Sequence, residues 1–326
     1  MSKKHPIIAV TGSSGAGTST VKEAFEHMFR REGIVPAVIE GDSFHRYNRV
    51  EMKAKVAEAE AQGNMNFSHF GANANEFKRL ADLFKSYGQT GTGKRRLYLH
   101  SDEEAKAYPG LKPGEFTPWA DIPVGTDLMF YEGLHGCVKT DGIDMPSHID
   151  LKIGVVPVIN LEWIQKIHRD TSQRGYSSEA VMDTILRRMN DYVRYIVPQF
   201  MHTDINFQRV PVVDTSDPII ARDIPTPDES VVVIRFRKPE NIAGGVDFPN
   251  LLQMIPHSFM SRRNTIVVPG GKMGFAMELV LTPILRQMLD NRGLIAKRAA
   301  VKKAPAKKAP VKKAVAKKAP AKKAGK

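Results

Sequence analysis

A glycine-rich segment near the start of the chain has the residue types and spacing of a phosphate-binding loop. It reads Gly12-Ser13-Ser14-Gly15-Ala16-Gly17-Thr18-Ser19, follows the apolar run 7–10 and precedes a helical pattern over 21–31. Glycines let backbone N–H groups approach an anion, and the N-terminus of the following helix favours negative charge. The spacing matches the P-loop pattern G-x-x-x-x-G-K-[ST], with Thr18 in the lysine position and Ser19 keeping the hydroxyl that binds Mg²⁺. The absent lysine leaves a plain Gly/Ser-rich turn open as the alternative.

Acidic side chains occur at the ends of two further apolar segments. The run 37–40 predicts a short buried strand that delivers Asp42 and His45 to its carboxyl end, and the run 128–133 carries Glu132 near its end. In open α/β sheets, ligands bind at that edge. A strand-end acid beside a P-loop holds Mg²⁺ through its water shell, so Glu132 is the candidate metal residue. The alternative for Glu132 is a solvated acid without a ligand.

Two predicted helices concentrate positive charge. The first, over 161–170, places Lys166, Arg169 and Asp170 on one charged face, with Arg174 joining them if the helix continues. The second, over 178–197, carries three more basic residues, namely Arg187, Arg188 and Arg194. Six basic side chains in two adjacent helices indicate a partner with several phosphates. Ordinary salt bridges between residues four apart, such as Lys166 with Asp170, are the alternative.

The order of the predicted elements is that of an α/β protein. Further helices are predicted over 50–61, 74–87 and 273–291, and further strands over 95–100, 151–156, 207–214, 231–236 and 265–268. We expect Asn160 to cap the helix over 161–170, Pro198 to end the next helix and Pro283 to kink the last one. The later strands have less helix between them and are candidates for antiparallel pairing. The Pro- and Gly-rich segment 108–125 is expected to be irregular and is a candidate lid.

The net charge of +13 belongs to the end of the chain. Residues 297–326 contain 13 of the 48 Lys and Arg residues and no Asp or Glu, so the body keeps 35 basic residues against 35 acidic ones. This tail repeats Lys-Lys-Ala-Pro-Ala with a period of about five and has no aromatic residue, which predicts disorder. Because the net charge comes from the tail, it gives no information about the chemistry of the rest of the chain.

Other classes are excluded by composition. The single cysteine, Cys137, cannot form an intramolecular disulfide or an internal redox switch. No apolar run approaches the length of a membrane span, and residues 1–6 enter the first strand without a signal-peptide core. We expect a cytoplasmic protein without a membrane partner.

Several blocks together resemble phosphoribulokinases, in particular the proteobacterial, NADH-regulated type. The resemblance covers about residues 7–291 and rests on five blocks: GSSGAGTS from 12, EGDSFHR from 40, FYEGLHG from 130, VINLEWIQKIHRD from 158 and TDINFQRVPVVDT from 203. Thr18 is shared by this type. The resemblance implies a P-loop nucleoside triphosphate hydrolase-like kinase fold, with a mixed sheet flanked by helices, for a domain over residues 1–292. The remainder, 293–326, is the disordered Lys/Ala/Pro-rich basic tail expected from its composition.

The same resemblance implies the reaction and its residues. ATP would phosphorylate ribulose 5-phosphate at the C1 hydroxyl to give ribulose 1,5-bisphosphate, a Calvin-cycle step, with Asp42 as general base. Ser19 and Glu132 would serve Mg²⁺, and Lys166 would replace the absent P-loop lysine. By the same resemblance, Arg169 and Asp170 would belong to the catalytic group and, with Arg174, would line the cleft that binds the sugar phosphate. The sugar-phosphate site would contain His45, Arg49, His100 and Arg174. The nucleotide site would comprise Gly12, Ser13, Ser14, Gly15, Ala16, Gly17, Thr18, Ser19 and Thr20.

Regulation and assembly follow from the same resemblance. The proteobacterial type is activated by NADH, inhibited by AMP and forms a homo-octamer. Arg31, Arg235 and Arg262 match its effector-site arginines, and Arg188 is a candidate coupling residue. The plant type is switched by a cysteine pair, which a chain with one cysteine cannot contain.

Two alternatives remain at this point. One is a P-loop kinase of another small hydroxylated substrate, of the uridine or pantothenate type, although such kinases usually keep the P-loop lysine. The other is an added nucleic-acid-binding function, because the tail resembles the Lys/Ala/Pro tails of linker histones and many lysines give salt-sensitive binding to phosphates. A tail that is only a solubilising segment, or a tether to an acidic partner, fits the same charge run.

Overall fold

The computed structural model describes residues 4–13, 18–221, 223–242 and 245–290. The centre of the glycine-rich loop, residues 14–17, and the tail from 291 onward lie outside the described residues. The predictions of loop geometry and of a disordered tail therefore concern parts of the chain that are not described. Among the described helices, none combines the length and apolar character needed to cross a bilayer.

The centre of the fold is an eight-stranded mixed sheet. Its strand order is β11-β12-β10-β9-β8-β1-β5-β2. Five neighbouring strands, from β2 to β9 in that order, pair in parallel, and β9, β10, β12 and β11 pair antiparallel. The strands of this sheet are β1 (Ile7–Gly12), β2 (Pro36–Glu40), β5 (Leu128–Gly133), β8 (Leu151–Val155), β9 (Ile205–Pro211), β10 (Ser230–Phe236), β11 (Phe259–Arg262) and β12 (Thr265–Pro269). Two small ribbons pair β3 (Lys94–Arg95) with β4 (Ala120–Asp121) and β6 (Lys139–Thr140) with β7 (Ile143–Asp144).

Helices cover both faces of the sheet, and strand alternation divides the core between them. Ile8 and Val10 of β1 pack in the cluster that contains the first and last helices, whereas Ile7 and Ala9 pack on the opposite face against the third helix. The helices are α1 (Thr18–Glu32), α2 (Arg49–Ala61), α3 (Phe77–Thr90), α4 (Asp102–Ala105), α5 (Ile159–Ser172), α6 (Ser178–Asp191), α7 (Phe248–Met254) and α8 (Met273–Asp290). The helices thereby bury the sheet on both sides and leave the ends of its strands for ligands.

Most predicted elements are present, and the antiparallel pairing of the later strands is confirmed. The predicted strand over 95–100 is wrong, because only Lys94–Arg95 pairs as a strand and Tyr98 makes a single bridge to Phe116. Asn160 does not cap α5, since the helix begins at Ile159 and its N-cap is Val158. Pro198 does not end the helical segment, because a π-helical turn, Tyr192–Ile196, passes into a 3₁₀ turn, Val197–Met201.

Candidate active site

Three parallel strands bring the chemically active residues to one edge. Val10 of β1 is in register with Glu132 of β5, which is in register with Glu40 of β2. The glycine-rich loop follows β1, Asp42 follows β2, and Glu132 is the penultimate residue of β5. The sequence prediction that these groups share an edge is therefore matched by the strand register.

Asp42 lies in a 3₁₀ turn, Gly41–Phe44, that directly follows β2. This turn approaches β5 backbone to backbone: a Cβ atom on Gly41 would lie 2.8 Å from Cα of Gly133 and 2.6 Å from the hydroxyl of Tyr131. Tyr131 is fully buried. Only glycine permits this approach, which sets the position of the neighbouring Asp42 carboxylate.

Two histidines face the Asp42 carboxylate. Nε2 of His45 is 3.3 Å from Oδ1 of Asp42, and Nε2 of His100 is 3.9 Å from Oδ2. Burial by itself would raise the pKa of Asp42, but the hydrogen bond and charge of His45, with weaker contributions from His100 and His69, outweigh it and hold that pKa well below its usual range. Asp42 is therefore an ionised proton acceptor beside two imidazoles.

Arg96, which the sequence did not single out, holds the turn in place. Its guanidinium donates to the carbonyl oxygens of Ser43 (2.8 Å) and His45 (2.6 Å) and stacks on the rings of Phe116 and Trp119. Burial lowers the pKa of Arg96 to about 10. The arginine thus links the Asp42 turn to the irregular segment 108–125, which the structure confirms as largely free of regular elements.

A second group of charges lies on α5. Asp170 is buried and pairs with three cations: the Lys166 ammonium, Nε of Arg169 at 3.1 Å and Nη1 of Arg174 at 3.2 Å. Burial, together with the positive charge of Arg188, lowers the pKa of Lys166 to about 8 despite the contact with Asp170. The salt bridge considered from the sequence as the alternative for Lys166 and Asp170 is present, but it is buried and shared by three basic residues.

Arg188 belongs to this group rather than to a separate surface. Its guanidinium lies over the Phe70 ring at 5.0 Å, and its charge interacts with those of Asp170 and Glu162. Burial lowers the pKa of Arg188 to about 10. Of the three arginines predicted for the effector site, Arg31 pairs with Glu278 of α8 at 2.6 Å. Arg235 and Arg262 both pair in register with Thr265, one on each side of β12.

Buried polar groups tie the site to the end of β1. Gln199, in the 3₁₀ turn after α6, accepts hydrogen bonds from the Thr11 hydroxyl and the Cys137 N–H and donates to the carbonyl of Leu134. Glu162 of α5 accepts a hydrogen bond from the Tyr192 hydroxyl at 3.1 Å, and burial raises the pKa of this carboxyl. Neither Gln199 nor Glu162 was predicted, because both act through partners far away in the chain.

Arg49, which was predicted, and Lys22, which was not, lie at the same edge. Arg49 begins α2 and donates to the His100 carbonyl at 3.3 Å. Lys22 of α1 pairs with Glu40 at 3.0 Å and interacts with the charge of Glu132. Within the described ranges, no group of three or more His, Cys, Asp or Glu side chains is arranged to hold a metal ion.

Comparison with known proteins identifies the fold. A family model described as "Phosphoribulokinase / Uridine kinase family" matches residues 7–216. The chain belongs to this family. The chromosomal phosphoribulokinase of Cupriavidus necator is 63% identical over 92% of this chain and 100% of that protein, and the phosphoribulokinase of Nitrobacter vulgaris is 60% identical over 90% of this chain and 99% of that protein.

A solved structure agrees with these relatives. The phosphoribulokinase from Rhodobacter spheroides superposes with a TM-score of 0.81 at 57% identity, covering 90% of this chain and 100% of that one. The resemblance drawn from the five sequence blocks and the predicted P-loop kinase fold, with its mixed sheet flanked by helices, are confirmed. The chain is accordingly a kinase.

Proposed function

We propose that this chain transfers the γ-phosphoryl group of ATP to the C1 hydroxyl of ribulose 5-phosphate and so forms ribulose 1,5-bisphosphate for the Calvin cycle. The observation that carries this proposal is the identity of 63% over the full length of a phosphoribulokinase. A uridine or pantothenate kinase shares the family fold but is disfavoured, because the relatives from Cupriavidus necator and Nitrobacter vulgaris, which match at least nine-tenths of the chain, are phosphoribulokinases.

The residues present fit a nucleotide with Mg²⁺. Oγ of Ser13 is buried at the start of the loop, and its interaction with the Glu162 carboxyl lowers the pKa of that group, so a hydroxyl is held where the loop begins. The loop from Gly12 to Thr20 would bind the phosphates of ATP. Ser19 and Glu132 would hold Mg²⁺, which keeps several water and phosphate ligands and therefore needs few protein groups. When bound, the ion neutralises charge on the phosphates.

In this proposal Asp42 accepts the proton of the C1 hydroxyl. Phosphoryl transfer depends mostly on alignment and charge neutralisation, so a carboxylate that stays ionised and fixed is sufficient as base. Lys166 supplies the cation that Thr18 cannot, and Asp170 and Arg169 hold it in the cleft. His45, Arg49, His100 and Arg174 bind the phosphate and hydroxyls of the sugar.

Regulation, assembly and the tail complete the proposal. We infer activation by NADH, inhibition by AMP and a homo-octamer from the proteobacterial type that the motifs resemble, with Arg31, Arg235 and Arg262 at the effector site and Arg188 as coupling residue. The position of Arg188 beside Asp170 supports a route from effector to cleft. Residues 1–292 form the kinase domain, and the basic tail over 293–326 binds nucleic acid or another acidic partner.

The test is ADP release with ribulose 5-phosphate, uridine and pantothenate in turn, each with and without NADH. We expect turnover only with ribulose 5-phosphate and an increase with NADH. Asp42→Asn should lower kcat about 10²- to 10⁴-fold, the usual contribution of a general base, and leave ATP affinity near that of the parent. Parent-like turnover of Asp42→Asn would rule out the assigned base. Deleting 299–326 should abolish retention on DNA at low salt while sparing catalysis.

A further inference from the structure

The His45 ring lies between two hydrogen-bond acceptors. Its Nδ1 is 2.8 Å from Oδ1 of Asn75, and its Nε2 is 3.3 Å from Oδ1 of Asp42. The ring is buried, as is Asn75, so water has little access to the Nδ1 contact, whereas the Asp42 side chain on the other side of the ring is 41% exposed. A neutral imidazole carries one N–H and can satisfy only one of these acceptors.

The orientation of the Asn75 amide follows from its other contacts. Its Nδ2 donates to the carbonyl oxygens of His69 and Gly71, both at 2.7 Å. A flipped amide would place its oxygen against two carbonyl oxygens, so the oxygen must face His45. The backbone reinforces this pairing, because residues 45 and 75 form an antiparallel bridge.

We propose that Asn75 is a positioning residue that fixes a proton on Nδ1 of His45, so that His45 can donate toward Asp42 only as a doubly protonated cation. The inference deepens the proposed function, on which its kinetic part rests, because it makes His45 a fixed positive charge in the sugar-phosphate site. Without the Asn75 oxygen, a neutral His45 with its proton on Nε2 would satisfy Asp42.

Neighbouring charges shift the pKa of His45 in opposite directions. Asp42 favours the cation, whereas Arg188 from α6 disfavours it. The His69 ring packs on His45 at 5.3 Å and stays neutral, since burial and the nearby cations lower the pKa of His69 to about 3; burial likewise lowers the pKa of His135 to about 3. For His45 itself, burial lowers the pKa, but Asp42 and the Asn75 hydrogen bond outweigh it and raise the pKa above its ordinary value.

Two substitutions separate the role of the Asn75 oxygen from that of its nitrogen. Asn75→Ala removes both, whereas Asn75→Asp keeps an acceptor for Nδ1 and, as a carboxylate, loses the donors to His69 and Gly71. The readout is the ¹⁵N spectrum of the His45 ring, titrated in the free full-length protein. In Asn75→Ala we expect the pKa of His45 to fall by about one unit or more, with the neutral form protonated on Nε2. In Asn75→Asp we expect the pKa of His45 to stay or rise.

A purely structural role for Asn75 would move both variants in the same direction. A fall in the His45 pKa in Asn75→Asp, or an unchanged pKa in Asn75→Ala, would overturn the proposal. If Asn75→Ala does not fold, Asn75→Asp alone still decides. The matched control is Asn64→Ala, which removes an exposed amide whose oxygen accepts a local hydrogen bond from the Asn66 N–H. In this variant His45 should titrate as in the parent.

Steady-state kinetics test whether the protonation of His45 affects the binding of ribulose 5-phosphate. Above neutral pH, Asn75→Ala should raise KM for ribulose 5-phosphate about five- to tenfold, as a charge-assisted hydrogen bond becomes a neutral one, with a smaller change in kcat. Asn75→Asp should show less increase than Asn75→Ala. A parent enzyme that is inactive on ribulose 5-phosphate would refute the proposed function. The titration of His45 uses no substrate, so it would still decide whether Asn75 fixes the proton on Nδ1. An equal increase in KM in both variants would contradict the positioning role.

Discussion

The approach of the Asp42 turn to β5 gives a prediction whose size follows from the structure. In Gly41→Ala the new Cβ would lie 2.8 Å from Cα of Gly133 and 2.6 Å from the Tyr131 hydroxyl, where even the tight limit of ordinary Cβ contacts is about 3.4 Å. Tyr131 is fully buried and its hydroxyl accepts the N–H of His135, so it cannot yield freely. The turn must move outward by about 0.6 Å or more to relieve the backbone contact.

Asp42 is the next residue and moves with the turn. A displacement of about 1 Å at a reacting group can cost about 10²-fold in rate, so we expect kcat to fall roughly 10- to 100-fold. Overpacking of this kind costs about 1–3 kcal/mol of unfolding free energy. The nucleotide loop follows a different strand, so the affinity for ATP should change much less than kcat.

The assay is steady-state ADP release together with urea unfolding. The matched control is Gly274→Ala in α8, where a Cβ would meet no atom of the described residues within 4 Å. This control should keep the parent kcat and gain less than about 0.5–1 kcal/mol of unfolding free energy, because Gly274 is the second residue of α8 and alanine is favoured over glycine by that amount in a helix interior. A Gly41→Ala enzyme with the parent kcat would refute the argument that this close approach positions Asp42, the proposed base.

Two further predictions concern residues around the turn. Arg96→Lys keeps the charge but cannot reproduce both hydrogen bonds and the ring stacking, so kcat should fall about tenfold or more. Arg96→Ala should regain activity when millimolar guanidinium is added. If activity does not return at guanidinium concentrations that leave the parent unaffected, this role of Arg96 is contradicted. His135 is buried and neutral, with its pKa lowered by burial to about 3, while an unfolded histidine has a pKa of about 6.5. Between these pH values the unfolded chain binds more protons, so stability falls on acidification by about 1.4 kcal/mol per pH unit. His135→Gln, whose amide replaces the donor to Phe70, should flatten the pH dependence of urea unfolding by that amount, and an unchanged slope would refute it.

The sequence predicted the parts of the site that strand order determines. Asp42 and Glu132 each follow or end an apolar run, and parallel strands place their carboxyl ends at one edge, which the register of Glu132 with Val10 and Glu40 bears out. The antiparallel half of the sheet was anticipated from the shorter connections between its strands. Local periodicity and strand polarity suffice for these features.

Residues that act through distant partners could not be predicted. Asn75 lies at the start of the helix predicted over 74–87 and pairs with a residue 30 positions away, and Arg96 binds carbonyl oxygens about 50 positions away. Backbone acceptors leave no signature in a sequence. Arg188 was among the arginines named from the sequence, but no local pattern showed that it would lie beside Asp170.

The charges on α5 show that two interpretations of Lys166 and Asp170 are compatible. One is an ordinary salt bridge, and the other is a site for a partner with several phosphates. Asp170 is one carboxylate facing Lys166, Arg169 and Arg174, with Arg188 beyond them, and Glu162 is the other acid in this group. The cations exceed the acids, and burial has already lowered the pKa of Lys166 to about 8, so the group is incompletely neutralised by the protein itself. An ordinary salt bridge would be complete without a ligand. Here Asp170 holds three cations close together, and under the proposed function the phosphates of the ligands would complete the neutralisation, so the salt bridge would preorganise the cations for binding.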